Sequence, residues 1–335
     1  MLEAFRELGY EVLDISGYAE ERAHKFKALR QRIKAGAPID FCYSENATIP
    51  PMITEKKHLP PHPFLDFSIF AYLKRHGIPT GVFYRDIYWR DREYPDRVGR
   101  PLALAMTALY RYELAGYDRL CSTVFLPSEQ MAAYVPPLKH AEAVALPPGG
   151  DIVDEPEAAA SPLSLFYIGG LGNKNYQLHK LFEAVKAIPD ISFTLCTTAE
   201  RWEAVAHEYP RAENIRVVHA TGEEREQLFA RANLCYVSVD PEFYGKFAVP
   251  VKLYEYLGRG KAMLAQADTL AGDIITGLGV GFAATYTAED MERMLRDLAH
   301  HPEKLQDAAE CARQVRHKHT WRARAATVVE ALHAR

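Results

Sequence analysis

The sequence holds no CxxC pair: its five cysteines, Cys42, Cys121, Cys196, Cys235 and Cys311, are scattered. That excludes a metal or redox site of the CxxC kind, and single cysteines in apolar runs read as buried thiols in a reducing compartment. No apolar run reaches the roughly 18 residues that a membrane-crossing helix needs. The opening MLEAFRELGY has neither a basic stretch nor a long apolar one, so no secretory signal is expected. Neither sign of charge dominates. The 40 basic and 44 acidic side chains leave a formal −4, with no overall drive toward nucleic acid. Metal-ligand patterns are thin as well. There is no DxD, only DRE at 91–93 and DPE at 240–242; His58 and His62 are split by two prolines, and His317 and His319 lack acidic or cysteine company. No bound metal and no cofactor are expected.

What is present is an ordinary globular composition, 48% hydrophobic and 25% charged, in 335 residues, enough for two domains or one large one. Strand-like and helix-like stretches alternate. The helical MLEAFRELGY leads into a strand at EVLDIS, and IDFCYSE, TGVFYRD and RLCSTVFLPS read as further strands. The rhythm predicts parallel sheets with helices on both faces. LPPGGDIVDEPEAAASP, 146–162, interrupts it with Pro, Gly, Ala and acid, and reads as a linker. Beyond it the alternation restarts at LSLFYIGGL and runs to a long helical end carrying HTWRARA. In such sheets ligands lie beyond the carboxyl ends of the strands.

Three places there carry chemistry. In PVKLYEYLGRG, Pro250 suits the first helical position, so the helix start offers free amides and partial positive charge to an anion. Lys252 lies in that first turn, where a cation is unfavourable for the helix unless an anion such as a diphosphate is its partner. Glu255 shares its face and can accept hydrogen bonds from two vicinal hydroxyls, as on a ribose. The plain alternative is a solvated ion pair. In FYIGGLGNKNYQ a strand runs into Gly169 and Gly170, with Lys174 following; glycines let backbone approach phosphate, and the alternative is a simple turn. In TGVFYRDIYWRD a strand ends in Arg85, Asp86, Tyr88 and Trp89, where Asp86 could be a base or orient a hydroxyl, or merely pair with Arg85. HKFKALRQRIK, 24–34, reads either as a solvated helix face or as a contact for an anionic membrane surface.

Together these pieces resemble glycosyltransferases of the GT-B fold, in particular the family 4-like group, also called group 1. LPPGGD is similar to that family's interdomain segment, YIGGL to the first strand and loop of its donor domain, and PVKLYEYLGRGKAMLA to its nucleotide-sugar motif. HTWRARA resembles its returning C-terminal helix, and FYRDIYW falls at its acceptor-side polar residue. The resemblance implies two Rossmann-like domains facing a cleft: 1–148 on the acceptor side, a linker at 149–161, a nucleotide-sugar domain at 162–316, and a helix at 317–335 returning to the first domain. It implies sugar transfer from a nucleotide-diphosphate donor, such as a UDP-sugar, to a glycan or lipid-linked hydroxyl in bacterial polysaccharide biosynthesis, without a metal. Gly169, Gly170, Lys174, His219, Lys252 and Glu255 would hold the donor, with Lys252 holding its diphosphate and Glu255 its ribose. Arg85, Asp86 and Tyr88 would serve the acceptor, and Asp86 and Lys252 would be catalytic. The expected location is cytoplasmic, with peripheral contact at the inner membrane face among the expected partners, and no nucleic acid.

Two departures from the family pattern stand out. A glutamate used on the donor sugar is replaced by Phe247, which leaves retention or inversion open. The family also places a strand and glycine-rich turn before its first helix, so the reading frame is expected to extend upstream by about one strand and one turn. A non-catalytic nucleotide-sugar-binding protein is the rival reading. A GT-B-fold epimerase is a third, and it would need acid/base carboxylates around the sugar.

Overall fold

The computed structural model describes residues 1–55, 58, 61–156, 158–172 and 176–334. The chain divides into two compact units, Met1–Pro147 joined by the chain end from Arg324, and Pro148–Ala323.

The first unit runs α1 (Leu2–Glu7), α2 (Ala19–Lys34), β1 (Cys42–Glu45), α3 (Leu65–Arg75), β2 (Thr80–Phe83), α4 (Tyr94–Val98), α5 (Arg100–Leu120), β3 (Thr123–Leu126) and β4 (Glu142–Ala145). Its sheet is parallel, in the order β1-β2-β3-β4. β2 and β3 are buried apart from Phe83, as expected of parallel strands covered on both faces. The expected strand at residues 11–16 does not form. A strand needs a neighbour for its backbone groups, and a cavity of about 810 Å³ is lined both by residues 10–17 and by the free side of β1. Apolar side chains such as Phe5, Leu13, Leu29, Ile69 and Phe70 face it, with the Arg22–Asp66 ion pair also on its wall.

The second unit runs β5 (Ser164–Ile168), α6 (His179–Lys186), β6 (Ser192–Cys196), α7 (Ala199–Val205), β7 (Ile215–Val218), α8 (Gly222–Arg231), β8 (Leu234–Val237), α9 (Val251–Gly258), β9 (Ala262–Gln266), α10 (Leu270–Gly277), β10 (Gly281–Ala284), α11 (Ala288–His300) and α12 (Pro302–Val315). Its six strands are all parallel, in the order β10-β9-β8-β5-β6-β7. Successive residues of a strand point to opposite faces, and here they feed two separate cores. Leu165, Tyr167, Tyr236 and Leu264 pack with α6 and α11. Phe166, Cys235, Val237 and Met263 pack with α8, α9 and α10. Threonines cap three of these helices: Thr198 at α7, Thr269 at α10 and Thr287 at α11 each accept a backbone N–H. The last helix, α13 (Trp321–His333), starts in the second unit and ends in the first.

The Pro/Gly segment after β4 is more ordered than its composition suggests. Gly150 bridges Thr320, and a Cβ there would lie 2.1 Å from the Tyr254 carbonyl oxygen. A Cβ at Gly149 would lie 2.5 Å from the Trp321 nitrogen. The glycine pair is therefore required for close backbone packing, not for slack. All five cysteines are free thiols, and Cys121, Cys196 and Cys235 are buried. Among the described residues no helix is long and apolar enough to cross a membrane.

Candidate functional site

The site in the second unit is built where β5 ends and α9 begins. β8 and β5 are neighbours in the sheet, so the loop after β5 and the helix that follows β8 emerge at the same strand ends. α9 starts at Val251, with Pro250 as its cap at ψ 138°. The proline thus stands one place before the first helical residue, because its extended backbone turns the loop into the helix. Its side chain cannot donate or accept, so the first-turn amides are left to other partners.

Lys252 lies in that turn and reaches back over β5. Its Nζ donates to Tyr167 Oη at 2.8 Å and sits 4.0 Å above the Tyr167 ring and 5.1 Å from that of Tyr176. Gly169, at φ 147°, makes room: a Cβ there would lie 2.7 Å from the ammonium nitrogen. Burial among these rings pushes the Lys252 pKa down to about 7, while Glu255 one turn along draws it up. Glu255 is partly buried, and its charge is also felt by Arg225, which pairs with Glu226 at 2.8 Å. The Gly170 carbonyl accepts from Tyr167 Oη at 3.0 Å, and a Cβ on Gly170 would come within 3.0 Å of the Arg201 guanidinium. The structure therefore brings Gly169, Gly170 and Lys252 together, with Glu255 on the same helix. Lys174 lies outside the described residues. His219 stands exposed just past β7, its Nδ1 2.8 Å from the Thr197 carbonyl oxygen. Phe247 is buried, edge-on to Phe243 and Tyr244 at 5.2 and 5.5 Å.

Two features of this unit were not singled out from the sequence. Tyr167 reads as one more apolar strand residue, and only the fold shows its hydroxyl under Lys252. At the far end of α9, Arg259 and Lys261 are both buried and both bind Glu155, with Lys261 Nζ 3.1 Å from Oε2. Arg259 also reaches Glu226 at 2.7 Å and lies 3.9 Å over the Phe229 ring. The signal was two cations flanking Gly260 in an apolar run, but their partner is about a hundred residues away.

In the first unit, Arg85, Asp86 and Tyr88 follow β2 as expected. The Asp86 carboxylate accepts from the backbone N–H of Ile87 at 2.7 Å and of Tyr88 at 3.1 Å, so it shapes the turn. Arg85 is exposed and pairs with Glu45 at 3.2 Å. Tyr88 shares a hydroxyl–hydroxyl hydrogen bond with Tyr110 and is ringed by Tyr94 and Tyr110, while Trp89 stacks on Tyr110. In α2, Lys25 and Arg32 are paired with Asp14 and Glu11. Among the described residues no group of three or more His, Cys, Asp or Glu could hold a metal ion.

Comparison with known proteins bears on this geometry. Residues 176–330 match the family model described as "Glycosyl transferase-like". No curated protein matches the sequence. Among solved structures, the chain is similar to sucrose-phosphate synthase from Thermosynechococcus elongatus, with TM-score 0.63 and 15% identity over 92% of this chain and 77% of that one. It is similar to HepE from Anabaena in complex with UDP, with TM-score 0.61 and 13% identity over 92% and 81%. It is also similar to WaaG, with TM-score 0.56 and 15% identity over 95% and 84%. At such identities the likeness is one of fold, the GT-B arrangement of two Rossmann-like domains. The family match adds the chemistry class, and it spans the helix that carries Lys252 and Glu255. The chain has the GT-B fold, and its residues 176–330 are glycosyl transferase-like.

Proposed function

We propose that the protein transfers a sugar from a nucleoside-diphosphate donor to a hydroxyl acceptor in glycan synthesis. The observation that carries this is the Lys252 ammonium, set at the start of α9 in the space left by Gly169. A half-buried cation in the first turn of a helix is a site for a dianionic diphosphate. In this reading the Gly169 and Gly170 backbone approaches the donor, Glu255 takes the ribose hydroxyls, and His219 lies toward the base. The chemical demand is stabilisation of the departing nucleoside diphosphate. Fixed amides and one lysine meet it without reorganising during the reaction. Asp86 is proposed to orient the acceptor hydroxyl or take its proton, with Arg85 and Tyr88 beside it in sequence.

HepE, of like fold, holds UDP, and WaaG is a glycosyltransferase involved in lipopolysaccharide biosynthesis. They support a UDP-sugar donor and a glycan or lipid-linked acceptor here. A lipid-linked acceptor would bring a cytoplasmic enzyme to the inner membrane face. The test is a thermal-shift screen of nucleoside diphosphates and nucleotide sugars, repeated on Lys252→Ala and Glu255→Gln. Stabilisation of the wild type by one nucleotide series, lost in both variants, is expected. Equal shifts in wild type and both variants would refute the donor assignment.

A further inference from the structure

Lys252 does not hold its place by itself. Tyr167 is fully buried, and its hydroxyl has its one proton committed to the Gly170 carbonyl at 3.0 Å. A lone pair is therefore left facing Lys252 Nζ, 2.8 Å away. One of the lysine's three donors is used in this way, and among the described residues the others have no acceptor and remain for an anion. The ring below adds a favourable face for a cation at 4.0 Å. Gly169 completes the seat by having no Cβ to occupy it.

We propose that Tyr167 is a positioning residue for the donor site: its buried hydroxyl and ring fix Lys252 in the Gly169 gap, so that the lysine meets the diphosphate in one geometry. This rests on the donor-site reading above. It has a consequence for charge. Among the described residues, the groups facing Lys252 are Glu255 on its own helix, Tyr167 on β5 and the Tyr176 ring, with Arg201 behind Gly170. Glu255 is the one acid among them, and burial already brings the lysine's pKa down to about 7. Above that pH the lysine of the free site is largely neutral. An arriving diphosphate favours the ammonium, so the lysine takes one proton from solvent as the anion binds. No covalent bond changes. The sign follows: affinity is full below about pH 7 and declines above it, until the lysine of the complex also loses its proton.

The test is calorimetric titration of UDP into the whole protein between pH 7 and 9, where a terminal phosphate has largely completed its own ionisation near about pH 6. Wild type should lose up to about tenfold in affinity per pH unit. Its binding heat should vary with the buffer's ionisation enthalpy, as proton uptake requires. Tyr167→Phe keeps the ring and removes the hydroxyl. It should bind about three- to tenfold more weakly, the worth of one hydrogen bond, with the decline displaced to lower pH because the ammonium has lost its acceptor. Gly169→Ala keeps the Tyr167 ring and hydroxyl but sets a Cβ 2.7 Å from the ammonium and 3.3 Å from that hydroxyl, and should show the same two effects; it keeps the test decisive if Tyr167→Phe does not fold. Wild-type affinity and an unmoved pH profile in either variant would overturn the positioning role. UDP binding that is unaltered in Lys252→Ala would instead overturn the donor-site reading itself.

Discussion

Removing Glu155 should destabilise the second unit more than any surface substitution. Its carboxylate compensates two cations whose side chains are each only 6% exposed, Arg259 and Lys261. Without it, Lys261 keeps the Ala232 carbonyl oxygen at 3.2 Å and, among the described residues, no anion. Arg259 keeps Glu226 at 2.7 Å and the Phe229 ring. One buried cation is thus left without a counter-charge, a defect that costs about 3–5 kcal/mol. Against a domain stability of about 5–15 kcal/mol, that is a large fraction. The assay is urea unfolding of wild type and Glu155→Ala, followed by circular dichroism. The double variant Glu155→Ala/Lys261→Met removes the stranded charge with its partner and should recover part of the loss, which isolates the coupling. A single-variant cost under about 1 kcal/mol, the scale of an exposed ion pair, would refute the reasoning. Because Arg259 and Lys261 follow α9, the loss should also weaken nucleotide binding at its other end.

Three further outcomes follow from the first unit. Glu113 is buried in α5, where desolvation raises its pKa to about 8 against an ordinary 4.5, while its hydrogen bond from Tyr117 at 2.7 Å lowers it. The folded chain therefore keeps a proton that the unfolded chain releases. That stability is full below about pH 4.5 and is lost up to about pH 8, at no more than about 1.4 kcal/mol per pH unit. Glu113→Gln should flatten this slope in melting curves; an unchanged slope would contradict it. Asp86→Asn retains an oxygen for the Ile87 and Tyr88 amides but loses the charge, so it should lower turnover strongly with nucleotide affinity intact, and normal turnover would make Asp86 a turn residue alone. An N-terminal extension supplying one extended apolar segment and a turn should fill the cavity beside β1 and raise the melting temperature by more than about 2 °C, whereas an unmoved melting temperature would mean the space is closed otherwise.

Much of this architecture was legible from pattern. The alternation of strands and helices held through the second unit, and AEDMERMLRDLAH is the whole of α11. There, apolar residues recur at helical spacing and a threonine cap precedes them. Residues 11–16 show the limit of such reading: the segment looks like a strand, but a strand is a property of two neighbours, and the free side of β1 lies across a cavity. Lys252 and Glu255 were visible because a lysine in a first helical turn is locally unfavourable and demands a reason. Tyr167 and Glu155 were not, since neither violates any local rule. Their roles come from contacts 85 and 104–106 residues distant in sequence.

The most direct measurement of the central claim is nucleoside-diphosphate release from a panel of nucleotide sugars, with and without glycan acceptors, in the presence of EDTA. With Lys252 and the α9 amides stabilising the leaving group, release should proceed with one donor series, rise on adding an acceptor, survive EDTA and fall sharply in Lys252→Ala. Tight binding of a nucleotide sugar without turnover, across the donor and acceptor panel, would contradict the account and leave a binding protein in its place.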